Sequence, residues 1–202
     1  GLPNDVVYGV LADDDGQLWM STNKGIARFD PVAETFRLFT ADDGLQNDEF
    51  NRYGYCKLSD GTLCFAGVGG LNTFDPKELK DDTRPAIVRI TDIKLRNTSI
   101  ALGAEGSPLT EPPFRSTGME IPYSDNMVTF EFATMEYSSP GTHRYLYKLE
   151  GFDADWITAQ GIHSAVYTNL DPGAYTFRVR GSNRDGYWDE EGTSFTLVVH
   201  PP

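Results

Sequence analysis

The side chains able to do chemistry in this sequence are few and scattered. Its three histidines, His143, His163 and His200, sit near predicted loops or the chain end, with no Cys/His or His-x-x-x-His spacing that would hold a metal. Ser21-Thr22 and Thr193-Ser194 have no base beside them in sequence. Two acidic runs, Asp13-Asp14-Asp15-Gly16 and Asp185-Gly186 with Asp189-Glu190-Glu191, lack the alternating ligands and closing Glu of a calcium loop. They read as turns, in which Asp accepts from its own backbone and Gly takes positive φ. No two of the 30 acids stand out as an acid/base pair for glycoside hydrolysis. No catalytic residue, metal ligand or cofactor is therefore assigned.

The two cysteines are too few for a disulfide scaffold. With Ser59-Asp60-Gly61-Thr62 as a two-residue hairpin turn, Leu58 pairs with Leu63 and Cys56 with Phe65. Cys64 then points to the opposite face, and no disulfide is expected.

Aromatic residues are a further source of chemistry, since their faces stack on sugars. Asn51, Tyr53 and Tyr55 lie near a loop and are the candidate sugar contacts. Trp19 reads as strand core, and Trp156 and Trp188 as packing across a sandwich.

The elements that carry these residues are strands. Aromatics at 12%, with 20 Gly and 12 Pro, suit pleated faces separated by tight turns. A net charge of -13 repels phosphate backbones and anionic membrane surfaces, so no nucleic-acid partner is expected. No apolar run is long enough to span a bilayer. The chain opens in mid-pattern at Gly1-Leu2-Pro3 and stops at Pro201-Pro202, which reads as a piece of a longer protein.

The first 80 residues hold an internal repeat. Gly1-Leu2-Pro3-Asn4-Asp5, Asp15-Gly16-Gln17-Leu18-Trp19 and Gly25-Ile26-Ala27-Arg28-Phe29-Asp30-Pro31 return as Gly44-Leu45-Gln46-Asn47-Asp48, Asp60-Gly61-Thr62-Leu63-Cys64 and Gly70-Leu71-Asn72-Thr73-Phe74-Asp75-Pro76. The offset is 43 residues, rising to 45 from Gly16, which is the period of a propeller blade. The first copy has room for four strands and the second for three. Residues 77–85 read as a linker.

Beyond it, strands are predicted over 87–96, 127–136, 145–149, 165–168, 175–181 and 194–199, with 103–118 as a loop. About seven strands in this length are a sandwich pattern. Leu170-Asp171-Pro172-Gly173-Ala174-Tyr175 places a tyrosine just after a Pro-Gly turn, the setting of a tyrosine corner. The expected architecture is all-β: about two blades over 1–80, then an Ig-like or fibronectin-III-like sandwich over 86–202.

Three stretches carry a family resemblance. Tyr145 to Trp156 contains Tyr147, Gly151 and Trp156. Tyr167 to Phe177 contains Tyr167, Pro172, Gly173 and Tyr175. Asn183 to Trp188 contains Asn183, Gly186 and Trp188. Together they resemble the Y_Y_Y domain, and the first half resembles the regulator-propeller repeats that precede it in two-component regulators. Leu63-Cys64-Phe65-Ala66-Gly67 departs from the Leu-Trp pattern of the first copy.

The resemblance implies a periplasmic sensor of a membrane-anchored, often hybrid, histidine kinase. Its propeller would sense an oligosaccharide. Its sandwich would form a homodimer and pass the signal to a membrane helix outside this chain. The signature residues would be structural. The alternative is a carbohydrate-binding or adhesion module without a signalling role.

Overall fold

A computed structural model describes residue 2, residues 4–136 and residues 143–202. The chain forms two compact units, Gly1–Asp81 and Asp82–Pro202. Among the described residues the regular structure is strand, apart from three single-turn 3-10 segments. None of it is a helix long and apolar enough to cross a membrane.

The first unit holds two blades. β1 (Val7–Ala12), β2 (Leu18–Thr22), β3 (Gly25–Asp30) and β4 (Thr35–Phe39) form a four-stranded antiparallel sheet in chain order. β5 (Phe50–Lys57), β6 (Leu63–Gly67) and β7 (Gly70–Phe74) form a three-stranded one. Trp19, Ile26, Phe39, Phe50, Leu63 and Phe65 make one core. Trp19 is blade core, as expected: it is 1% exposed, its ring lies 5.3 Å from Phe39 and 5.0 Å from Phe74, and its Nε1 donates to Asp13. Gly25 is required where it stands. At φ 89° its N–H donates to the Asp48 carbonyl, and a Cβ there would lie 2.0 Å from the Phe39 carbonyl oxygen.

The β5–β6 hairpin corrects the sequence reading. Cys56 pairs with Cys64, Lys57 with Leu63 and Tyr55 with Phe65. The turn is one residue longer than expected. The Gly61 N–H donates to the Leu58 carbonyl, the Leu58 N–H donates to the Thr62 carbonyl, and Gly61 takes φ 94°. This is a tight turn followed by a glycine bulge. One extra residue in the loop shifts the pairing by one, and a shift of one exchanges the faces.

The second unit is a sandwich. β10 (Gly118–Ile121), β16 (Thr193–Val199), β15 (Gly173–Ser182), β12 (Arg144–Glu150) and β13 (Ile157–Gln160) form one sheet, in that order. β14 (Ser164–Tyr167), β11 (Val128–Thr134), β8 (Val88–Leu95) and β9 (Thr98–Ser99) form the other. Val88, Ile90, Ile93, Val128, Phe130 and Phe132 meet Tyr145, Leu149, Tyr175, Phe177, Phe195 and Leu197 in a single core. Alternation along β8 slips between Ile90 and Ile93 because Glu131 pairs with Asp92 but Phe132 with Ile90, leaving Thr91 as a bulge.

The sandwich has more strands than the pattern suggested. β9, β10 and β13 are short, and β10 lies at the end of the proline-rich loop. It pairs parallel to β16, a contact between distant segments that local periodicity does not encode.

Candidate functional site: a tyrosine corner and a linker latch

The signature residues gather at two places in the sandwich. The first is the turn after β12. Asp153 Oδ2 accepts from the Leu149 N–H at 2.7 Å and from the Tyr167 hydroxyl at 2.7 Å. Burial, then this bond to a carboxylate, pushes the Tyr167 phenol well above its ordinary range. Tyr147 packs nearby on Phe132 and Phe177, and burial followed by the Asp153 charge raises its phenol too. Gly151 closes the turn at φ 93°, with room for a Cβ only 3.1 Å from the Tyr175 ring.

Tyr175 is the corner itself. Its ring is 8% exposed and its hydroxyl donates to the Asp171 carbonyl at 2.9 Å, across the turn made by Pro172 and Gly173. Tyr175→Phe keeps the ring and removes one hydrogen bond. The expected loss is about 1 kcal/mol. A urea midpoint lowered at constant slope measures it.

The second place is the loop after β15. Asn183 is 2% exposed and its side-chain amide is fully used. Oδ1 accepts from the Asp185 N–H at 3.0 Å and the Tyr187 N–H at 2.9 Å. Nδ2 donates to the Asp82 carbonyl at 2.5 Å and the Arg84 carbonyl at 2.9 Å. Asp185 Oδ2 accepts from the Asp82 N–H at 2.6 Å. The Asp185 side chain is 1% exposed, and Arg184 Nε lies 3.8 Å from its other oxygen. Gly186 turns the loop at φ 89°, and Trp188 bridges back to Ser182. The third signature motif thus grips residues 82–84, the start of this unit.

Within the first unit, Asp81 is gripped as well. Its carboxylate accepts from Arg28 on β3 at 2.6 Å and from Arg37 on β4. Consecutive residues of the predicted linker are therefore each tied, one into either unit.

Several expectations are corrected. Trp156 is half-buried and outside the core, with the Arg180 guanidinium 4.8 Å and the Lys148 ammonium 5.9 Å from its ring. Trp188 is also outside the core. Neither packs across the sandwich, because the space between the sheets is filled by Phe130, Phe177 and Phe195, with Phe130 and Phe177 stacked at 4.2 Å. His143 is buried at 5% exposure, and its Nδ1 lies 3.0 Å from the Thr134 hydroxyl, which also meets the Tyr145 hydroxyl.

The sugar-contact candidates lie in the first unit. Asn51 is exposed, Tyr53 is 83% exposed and Tyr55 is 37% exposed. Tyr53 has φ 65° within a register break between Phe50 and Tyr55, an unusual backbone for an aromatic residue. Tyr55 lies flat on Gly9, where a Cβ would meet its ring at 2.1 Å.

The first acidic run is a turn with a charge clamp. Asp13 Oδ1 accepts from the Asp15 and Gln17 N–H groups. Asp14 accepts from Lys57 at 2.7 Å and Lys77 at 3.0 Å, and these bonds lower its carboxyl to about 2. The clamp contributes fully above the ordinary value of 3.8 and is lost as pH falls from there through about 2. A carbon-detected NMR titration is expected to find the Asp14 midpoint near 2, rising toward 3.8 in a Lys57→Met, Lys77→Met variant.

Both halves of the chain resemble known proteins. Residues 136–200 match the Y_Y_Y domain and residues 1–24 match the two component regulator propeller. A histidine kinase of Formosa agariphila, named Histidine kinase P4, is 26% identical over 201 residues, all of this chain and 15% of the relative. The crystal structure described as the extracellular domain of a hybrid two component system of B. thetaiotaomicron superposes with a TM-score of 0.81 at 23% identity. It covers all of this chain, which spans 27% of that one. The fold is thus a partial propeller followed by a sandwich, with residues 1–24 similar to a two component regulator propeller repeat and residues 136–200 similar to a Y_Y_Y domain.

Proposed function

We infer that this chain, in which two-component regulator propeller repeats lead into a Y_Y_Y domain, is a periplasmic sensing and relay region of a membrane-anchored histidine kinase. It catalyses nothing itself. The propeller takes an oligosaccharide, and the sandwich passes the event to a membrane helix outside this chain by changing how two sandwiches meet.

The observation that carries this reading is the doubly tied joint. Arg28 and Arg37 hold Asp81. Asn183 and Asp185 hold Asp82. Asp81 and Asp82 are each held within their own unit, and the relay would run through the peptide bond that joins them. The relative named as a histidine kinase and the structure described as an extracellular domain of a hybrid system support the setting. The exposed Tyr53 ring supports a sugar ligand, because a flat aromatic face covers the apolar face of a pyranose.

The test uses the full-length receptor and a reporter of its output. Arg28→Ala with Arg37→Ala, and separately Asn183→Ala, are expected to keep binding of the inducing oligosaccharide and to lose the response. Tyr53→Ala is expected to weaken binding itself. A full response from both joint variants would overturn the relay. A wild-type protein that binds oligosaccharide without any output would point instead to an adhesion or carbohydrate-binding module.

A further inference from the structure

We propose that Cys56 and Cys64 are a cross-strand dithiol that closes to a disulfide within the second blade. The geometry is that of the corrected hairpin register. The two residues are directly opposite on antiparallel β5 and β6. Directly opposite residues have their Cα atoms about 4.5 to 5.5 Å apart and their side chains on one face. A disulfide accepts Cα separations of about 4.4–6.8 Å, so the strands need no rearrangement. The pair is also isolated, since these are the only cysteines in the sequence.

Their environments differ in a way that orders the chemistry. Cys56 is exposed and meets an oxidant first. Cys64 is buried, and burial, followed by its neighbour Cys56, pushes its thiol up. With a low-molecular-weight disulfide such as oxidised glutathione, the Cys56 thiolate attacks one sulfur, the S–S bond breaks and one glutathione thiolate leaves. Cys64 then gives up its proton and attacks Cys56 Sγ, expelling a second glutathione thiolate. Two protein thiols are oxidised, one disulfide is reduced to two thiols, and both protons end on glutathione. The bond would fix β5, whose register breaks where Tyr53 stands out, so oxidation state and the exposed ring share one strand.

The purified chain, equilibrated with oxidised glutathione in excess, tests this without reference to where the protein resides. The expected product is monomeric and lighter by two hydrogens, with no thiol alkylated after denaturation. Lys57 lies between the cysteines, so trypsin should give two peptides that stay joined until reduction. Cys64→Ser should stop at a mixed disulfide on Cys56. Two alkylated thiols after equilibration, or a wild-type chain that stops at the mixed disulfide, would overturn the proposal. So would a disulfide found only between chains.

Discussion

Phe177→Ala is expected to destabilise the sandwich by about 3–5 kcal/mol. Phe177 is 0% exposed on β15. Its ring lies parallel to Phe130 of the opposite sheet at 4.2 Å and within 6.1 to 6.3 Å of Phe132, Tyr147 and Tyr167. It therefore joins the two sheets and touches three further aromatic rings, two of which, Tyr147 and Tyr167, lie at the turn after β12. The cavity left by its removal is bounded by strands on both sides and cannot collapse onto a neighbour. A domain's whole stability is of order 5–15 kcal/mol, so this one change consumes a large part of it. Urea unfolding followed by near-ultraviolet circular dichroism would measure it. A loss under 1 kcal/mol would mean that the ring is not the contact between sheets described above.

Asn183→Ala is expected to cost about 2–4 kcal/mol, and its effect should be local as well as global. The substitution removes two donors from the Asp82 and Arg84 carbonyls and the acceptor for the Asp185 and Tyr187 N–H groups. Asp82 and Asp185 are half-buried, and polar groups there that lose a partner out of reach of water cost more than the bonds were worth. Hydrogen exchange should therefore quicken at Asp185 and Tyr187. Asn183→Asp is a sharper comparison: it keeps the acceptor and loses the donors. It should restore the loop bonds but not the grip on residues 82–84. Equal exchange in all three proteins would show that the latch is incidental.

These two sites differ in how far the sequence exposes them. Phe177 belongs to the run Thr176-Phe177-Arg178-Val179-Arg180, whose alternation marks Phe177 and Val179 as inward, and both are 0% exposed. Asn183 is visible as a motif residue, but its partners are 101 and 99 positions away. Asp153 lies inside the first motif without any pattern to distinguish it from Asp155. It matters because a turn brings the Leu149 N–H and the Tyr167 hydroxyl to one oxygen. Arg28 recurs in no way that predicts Asp81 as its partner, since a salt bridge depends on where two side chains end, not on spacing along the chain.

The hairpin at residues 56–64 shows the limit most clearly. Asp60-Gly61 correctly marks a turn, yet a two-residue loop and a loop with a glycine bulge have the same composition. The bulge is chosen by hydrogen bonds at Leu58, Gly61 and Thr62, and it turns a pair of cysteines from opposite faces to one.

What the sequence by itself determined is the all-β class, the blade repeat with its 43-to-45-residue offset, the corner at Tyr175 and the placing of the signature motifs. These rest on side-chain alternation and turn residues, which are properties of neighbouring positions. The tertiary structure alone decided the parallel β10–β16 pairing, the Cys56–Cys64 register and the two grips on Asp81 and Asp82. Each of these joins groups whose meeting depends on strand order or on one residue of loop length, and local periodicity carries no information about either.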